Sequence, residues 1–151
     1  MQLHTHIDVA ASPQRLWSVL TDFRRFPEWN PFIRSIQGSL RKGAKLDVRL
    51  GPPGGDIMAF KPMVTRVEPG RVLAWLGVLA APWLFRGEHV FRLEPLEGGH
   101  TRMHQSETFG GLLLPLLRRR LEVDTRRGFE AMNKALKARV EGEPVPSALM
   151  P

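Results

Sequence analysis

The feature that most constrains the fold is a long amphipathic segment near the C-terminal end, Leu112–Val140. At about 100° per residue its apolar residues fall on one broad face and its charged residues on the opposite face, as in a helix that packs along one side. Pro115 fits in the first turn, where backbone N–H groups lack intrahelical acceptors. We therefore predict one long helix, with an apolar face formed by Leu114, Leu117, Leu121, Gly128, Phe129, Met132, Ala135, Leu136 and Val140.

Interruptions in that face predict a cavity beside the helix. Arg118 and Thr125 place polar side chains in the face, and Gly128 leaves a gap in it. The chain before the helix has the alternation of short strands. A sheet wrapped around such a helix would have an incompletely filled interior, so the sequence indicates the kind of site and leaves its occupant open.

The composition is that of one globular domain. The chain has 151 residues, of which 42% are hydrophobic and 25% charged, enough for a hydrophobic core. The absence of cysteine excludes disulfides, zinc–thiolate sites and a cysteine nucleophile. The net charge of +7 comes without an RNP, zinc-finger or helix-turn-helix pattern, so we expect no nucleic-acid partner. Residues 142–151 contain three prolines and are predicted to be a disordered tail after a domain of residues 1–141.

No segment predicts export or a membrane span. The first residues lack a basic region followed by an apolar one, so we predict no signal peptide. The most apolar run, Val72–Phe85, is shorter than the ~20 residues that a span requires. We expect a cytoplasmic protein, and leave open whether it contacts membranes transiently and whether it is a monomer or a homodimer.

The first predicted strand, Leu3–Val9, has two distinct faces. Its apolar residues alternate with His4 and His6, which share the opposite face. The spacing of these histidines suits a metal ion, but no third ligand follows nearby in the sequence. We therefore expect both side chains to be exposed, and we predict neither a metal site nor a cofactor.

Two short helices are predicted after this strand. Ser12 and Pro13 are typical of a helix N-cap and first helical residue, and they predict a helix over Pro13–Thr21. Prolines divide the aromatic segment Phe23–Phe32 into turns, which predicts either a lid over the cavity or a hydrophobic plug.

Strands fill most of the chain between these helices and the long one. Pro62 marks an edge or a bulge within one of them, and the loop Ala80–Phe85 is predicted to form part of a cavity rim. The other strand predictions are Arg34–Ser39, Ala44–Leu50, Ile57–Glu68, a strand containing Leu73 and Trp75, Glu88–Leu96 and His100–Phe109.

Short motifs along nearly the whole chain carry a family resemblance. In order they are Ala11-Ser12-Pro13, Leu16-Trp17, Leu20-Thr21-Asp22, Pro27-Glu28-Trp29-Asn30-Pro31, Glu88-His89-Val90-Phe91, Gly98-Gly99-His100-Thr101 and Glu107-Thr108-Phe109-Gly110. The sequence resembles the START-like, birch-pollen-allergen-like (SRPBCC) superfamily, and within it the polyketide cyclase/dehydrase and lipid-transport branch. The resemblance implies an α+β helix-grip fold, a curved antiparallel sheet of about seven strands around the last helix. It also implies a cavity for lipids, polyketides or aromatic molecules, but no particular reaction.

The hairpin centred on Glu97-Gly98 predicts a polar pair inside that cavity. Positions that sum to about 196 face each other across the two strands, so His89 lies opposite Glu107. Because strand side chains alternate, His89, Phe91, Met103, Gln105 and Glu107 share the inner face. A buried carboxylate requires a cation or hydrogen-bond donor, and His89 is the nearest. The pair could be a general acid/base couple, a polar anchor for a ligand, or a purely structural pair.

Further residues complete the predicted site. Arg118 could hold an anionic group at the cavity mouth, or extend to solvent. Thr125 lies one to two turns deeper, and Trp29, Phe32 and Trp75 are predicted as apolar wall.

Three functions remain open from the sequence. The first is binding or carriage of a small hydrophobic molecule, and the second is a cyclase, dehydratase or hydrolase that uses His89 and Glu107. The third is a regulatory module that docks on other proteins through its sheet.

Overall fold

The computed structural model describes residues 1–142 as an α+β fold in which antiparallel strands pack against one long C-terminal helix. The predicted fold class and element order are confirmed, with eight strands rather than seven among the described residues. The tail predicted to be disordered lies outside them from residue 143 onward. The elements are β1 Gln2–Val9, α1 Pro13–Leu20, α2 Phe26–Trp29, β2 Ile33–Gln37, β3 Asp47–Leu50, β4 Met58–Phe60, β5 Met63–Glu68, β6 Val72–Val78, β7 Arg86–Pro95, β8 Thr101–Gly110 and α3 Leu114–Val140.

The strands form two antiparallel sheets that a short bridge connects. One sheet has the order β1-β8-β7-β6-β5 and the other β2-β3-β4. The segment before β3 pairs with the start of β5. The Val64 N–H donates to the Ala44 carbonyl and the Leu46 N–H to the Pro62 carbonyl, at 2.8 Å each. Pro62 has no N–H for a ladder, and the predicted strand Ile57–Glu68 is accordingly divided into β4 and β5.

The helix α3 begins two residues later than predicted. The N–H groups of Leu112 and Leu113 donate to the carbonyls of Trp83 and Leu84, at 3.0 Å each, so these residues are tied to the β6–β7 loop. The helix therefore starts at Leu114, with Pro115 in its first turn.

Only the second half of α3 is covered by the sheet. Phe129, Met132, Ala135 and Leu136 are fully buried, whereas Leu116 is 82% exposed. Gly128 is required where α3 crosses the aromatic segment, because a Cβ there would lie 2.1 Å from the Phe32 ring. Among the described residues, no helix combines the length and apolarity needed to cross a membrane.

The aromatic segment Phe23–Phe32 packs as a plug rather than as an exposed lid. Phe26 and Trp29 are almost fully buried, and their rings meet edge to face with centroids 5.1 Å apart. Asn30 fixes the turn that follows, since its Oδ1 accepts from the N–H groups of Phe32 (2.9 Å) and Ile33 (2.8 Å). The plug closes the core beside α3 and leaves only Phe32 at the edge of the cavity.

Candidate functional site

A cavity of about 190 Å³ lies between the inner face of the larger sheet, strands β3 and β4 of the smaller sheet, and α3. Its lining is mostly apolar, and its polar side chains are His89, Glu107 and Thr125. The apolar lining includes Phe32, Leu50, Phe60, Trp75, Phe85, Phe109, Leu121 and Phe129. Two larger hollows, of about 510 and 300 Å³, have more polar linings and contain no such pair. The cavity under α3 is therefore the candidate ligand site.

The predicted register of the β7–β8 hairpin is confirmed. His89 lies opposite Glu107 and Phe91 opposite Gln105. The His89 Nδ1 and the Glu107 Oε2 are 2.7 Å apart, and the two side chains are only 4% and 14% exposed. The turn that sets this register contains Gly98 at φ 73°, a left-handed conformation that glycine adopts without strain.

Aromatic rings pack against His89. Its imidazole stacks on Trp75 with centroids 5.1 Å apart and an interplanar angle of 17°, and Phe129 meets it edge-on at 5.1 Å. An ionised carboxylate only accepts hydrogen bonds, so Nδ1–H donates to Glu107, and when the imidazole is neutral its Nε2 carries a lone pair. That Nε2 is buried and has no hydrogen-bond partner within residues 1–142. The carboxylate thus holds the imidazole in one orientation.

Gly87, which is not among the site residues predicted from the sequence, makes room for the carboxylate. A Cβ at Gly87 would lie 2.6 Å from the Glu107 Oε1 and 3.3 Å from the Phe109 ring. Both Gly87 and Phe109 line the cavity. Gly87 lies two residues before His89, and Phe109 two residues after Glu107, so each shares a strand face with one member of the pair. The alternation that identified His89 and Glu107 could therefore have identified Gly87 and Phe109 as well.

The structure brings five of the predicted site residues to the cavity. These are Phe32, Trp75, His89, Glu107 and Thr125. Trp29, Phe91 and Met103 are instead buried in the core outside the cavity lining. Arg118 is also outside the lining, and it is exposed because it lies on the part of α3 that the sheet does not cover.

Gln105 belongs to a buried polar network rather than to the cavity. Its Nε2 donates to the Asn133 Oδ1 at 2.8 Å, and the Asn133 Nδ2 donates to the Thr5 Oγ1 at 2.9 Å. The three residues join β8, α3 and β1 in the interior. Strand alternation predicts the correct face for Gln105, but no sequence pattern identifies Asn133 as its partner.

A family model and several solved structures match nearly the whole chain. The model described as polyketide cyclase / dehydrase and lipid transport matches residues 1–141. The Zhui aromatase/cyclase from Streptomyces sp. R1128 is 18% identical, with a TM-score of 0.76 and 93% of each chain covered. A START superfamily protein from Mycobacterium smegmatis is 21% identical, with a TM-score of 0.69 over 93% of this chain and 97% of that one. A protein from Thermus thermophilus is 18% identical, with a TM-score of 0.71 over 94% and 98%.

These likenesses concern the fold. At such identities a structural match carries no activity with it. No curated protein matches the sequence.

Proposed function

The chain belongs to the polyketide cyclase/dehydrase and lipid-transport family, and on that premise we propose that it binds a small neutral aromatic molecule that carries a hydroxyl or similar donor group. The observation that carries this proposal is an apolar cavity with a single polar pair, His89–Glu107, in its wall. Such a lining holds an apolar body, and the pair orients it through one hydrogen bond.

The size of the cavity favours one or two rings. An apolar cavity of about 150 Å³ in a protein core binds benzene. The volume here, about 190 Å³, is only moderately larger. It suits a bicyclic compound better than a sterol or a two-chain lipid.

The polar pair selects the charge of the ligand. The unpartnered His89 Nε2 can accept a hydrogen bond from a hydroxyl, while the Glu107 carboxylate repels an acid. We expect a phenol-like ligand to bind more tightly than either the bare hydrocarbon or the corresponding carboxylate.

Calorimetric titration with 1-naphthol, naphthalene and 1-naphthoate tests this proposal. We expect 1-naphthol to bind most tightly, and Glu107→Gln to weaken it by up to about tenfold, because the ligand keeps its hydrogen bond to the His89 Nε2 and loses only the charge that strengthens it. Leu121→Trp should fill the cavity and abolish binding. Leu116→Trp on the exposed part of the same helix is the matched control and should bind like the wild type. If none of the three compounds binds, or if binding survives Leu121→Trp, the proposal is wrong.

A second candidate function is catalysis in the same cavity. The observation that favours it is the imidazole itself, since a histidine backed by a carboxylate is the usual arrangement of a general base. Native mass spectrometry of protein purified from its own host would identify a bound compound. Conversion of that compound should fall on the order of a hundredfold in His89→Gln while binding persists. A wild-type protein that binds the compound and never transforms it would exclude the enzymatic function.

Docking on proteins through the sheet has less support. A regulatory module of this kind requires no ligand cavity, whereas the described residues form an apolar one. The two ligand-based functions are therefore preferred.

A further inference from the structure

The outer face of the larger sheet, opposite the cavity, carries a cluster of histidines. His4 and His6 lie on β1 and His104 on β8, with His6 directly opposite His104 and His4 diagonal to it. His4 and His6 are exposed, and His104 is half-buried. The β1–β8 pairing thus supplies the third imidazole that the sequence near His4 and His6 lacks.

The three rings have the spacing of ligands around one ion. The centroid of His104 is 5.2 Å from that of His4 and 6.0 Å from that of His6, and the His4 and His6 centroids are 6.1 Å apart. Zinc–nitrogen bonds of about 2.0–2.1 Å in tetrahedral geometry place imidazole centroids about 5 Å from one another. Rotations of the exposed His4 and His6 side chains towards His104, whose side chain is only 14% exposed, would bring all three onto one ion.

A carboxylate already orients the innermost histidine. The Glu94 Oε2 is 2.7 Å from the His104 Nε2, so that nitrogen carries a hydrogen and donates a hydrogen bond to Glu94. The lone pair of Nδ1 then faces His4, whose Nε2 lies 2.9 Å away. A histidine ligand whose other nitrogen donates to a carboxylate is the usual outer-shell arrangement of metal sites.

The site is not yet assembled. Within residues 1–142 no group of three such side chains stands in metal-holding geometry. The His4 and His104 nitrogens would have to separate to about 3.3 Å for an ion to replace the proton they share. Arg92 lies across from His104 on β7, and its positive charge disfavours a bound cation, whereas the negative charge of Glu94 favours one. The nearby Asp8 is already paired with Arg102.

We propose that His4, His6 and His104 form a surface site for a divalent transition-metal ion of the Zn²⁺ class, with a water molecule in the fourth position. Imidazole is the donor that such ions share, and a set of three leaves the open position typical of reactive rather than purely structural sites. The site lies on the opposite face of the sheet from His89 and is independent of the proposed ligand cavity.

Zinc titration of tag-free protein tests this proposal, because His100, an exposed histidine outside the cluster, provides a matched control. We expect Zn²⁺ to bind one per chain, with His6→Ala and His104→Ala each weakening binding at least tenfold. Glu94→Gln should weaken it by less than either histidine substitution, because it removes only the charge of the carboxylate that orients His104. His100→Ala, at the exposed β7–β8 turn, should bind like the wild type.

Two results would overturn the proposal. One is wild-type affinity no greater than that of His104→Ala, which means adventitious surface binding only. The other is an equal loss of affinity in His100→Ala. Circular dichroism of every variant before titration establishes that the fold is retained, and the exposed positions of His4 and His6 favour this.

Discussion

Truncation of one buried side chain on α3 measures how strongly the sheet holds the helix. Met132 is fully buried, and Phe129 and Leu136, one turn away on either side, are fully buried too. The cavity left by Met132→Ala therefore cannot open to solvent. We expect a loss of about 2–5 kcal/mol in the free energy of unfolding, the range for such truncations in protein cores.

The matched control is the same kind of truncation on the same helix. Leu116 is 82% exposed, so Leu116→Ala should change the free energy of unfolding by less than about 0.5 kcal/mol. Leucine and methionine have nearly equal helix propensities, so the difference between the two variants reports packing.

Urea unfolding followed by circular dichroism separates the two outcomes. With a urea slope of about 2 kcal/mol per M, Met132→Ala should lower the midpoint by about 1–2.5 M, and Leu116→Ala by less than about 0.3 M. An unchanged midpoint for Met132→Ala would show that the sheet does not cover this part of α3. Equal losses in both variants would refute the division of the helix into a covered and an uncovered half.

Three further predictions concern the polar network, pH and the cavity rim. Asn133→Ala should cost about 1–3 kcal/mol in urea unfolding because it removes the acceptor of the buried Gln105 Nε2. Unchanged stability would contradict the network, and 1-naphthol affinity should stay the same. Hydrogen bonds from the Lys137 side chain and the Ala10 N–H lower the pKa of Glu141. The contribution of Glu141 to the free energy of unfolding is therefore present above about pH 4.3, the pKa of an unfolded glutamate, and is lost as pH falls through the folded pKa. Thermal melts from pH 3 to 7 should therefore show an advantage over Glu141→Gln that disappears in acid; an advantage that persists there would contradict the pairing. By hydrogen exchange, residues 79–85 should be less protected than Glu88–Leu93 and gain protection when 1-naphthol binds; a further loss of protection would count against this loop as the rim.

The sequence by itself determined the elements whose geometry is local. The period of α3 identifies its apolar face, because 3.6 residues per turn follow from the backbone alone. The glycine turn of the β7–β8 hairpin sets the register of its strands, and this was sufficient to place His89 opposite Glu107. Pro62 likewise predicted the irregularity that separates β4 from β5, because proline has no N–H to donate.

Only the tertiary structure decided what depends on pairings distant in sequence. Periodicity shows which face of α3 is apolar, but the strands that reach it determine that Met132 is buried and Leu116 exposed. Gln105 was predicted as a cavity residue because its face was known and its partner Asn133, on another element, was not. The β1–β8 pairing, between the first strand and the last, brings His104 to His6. No local pattern encodes such a pairing, since its register depends on how the whole chain closes around its core.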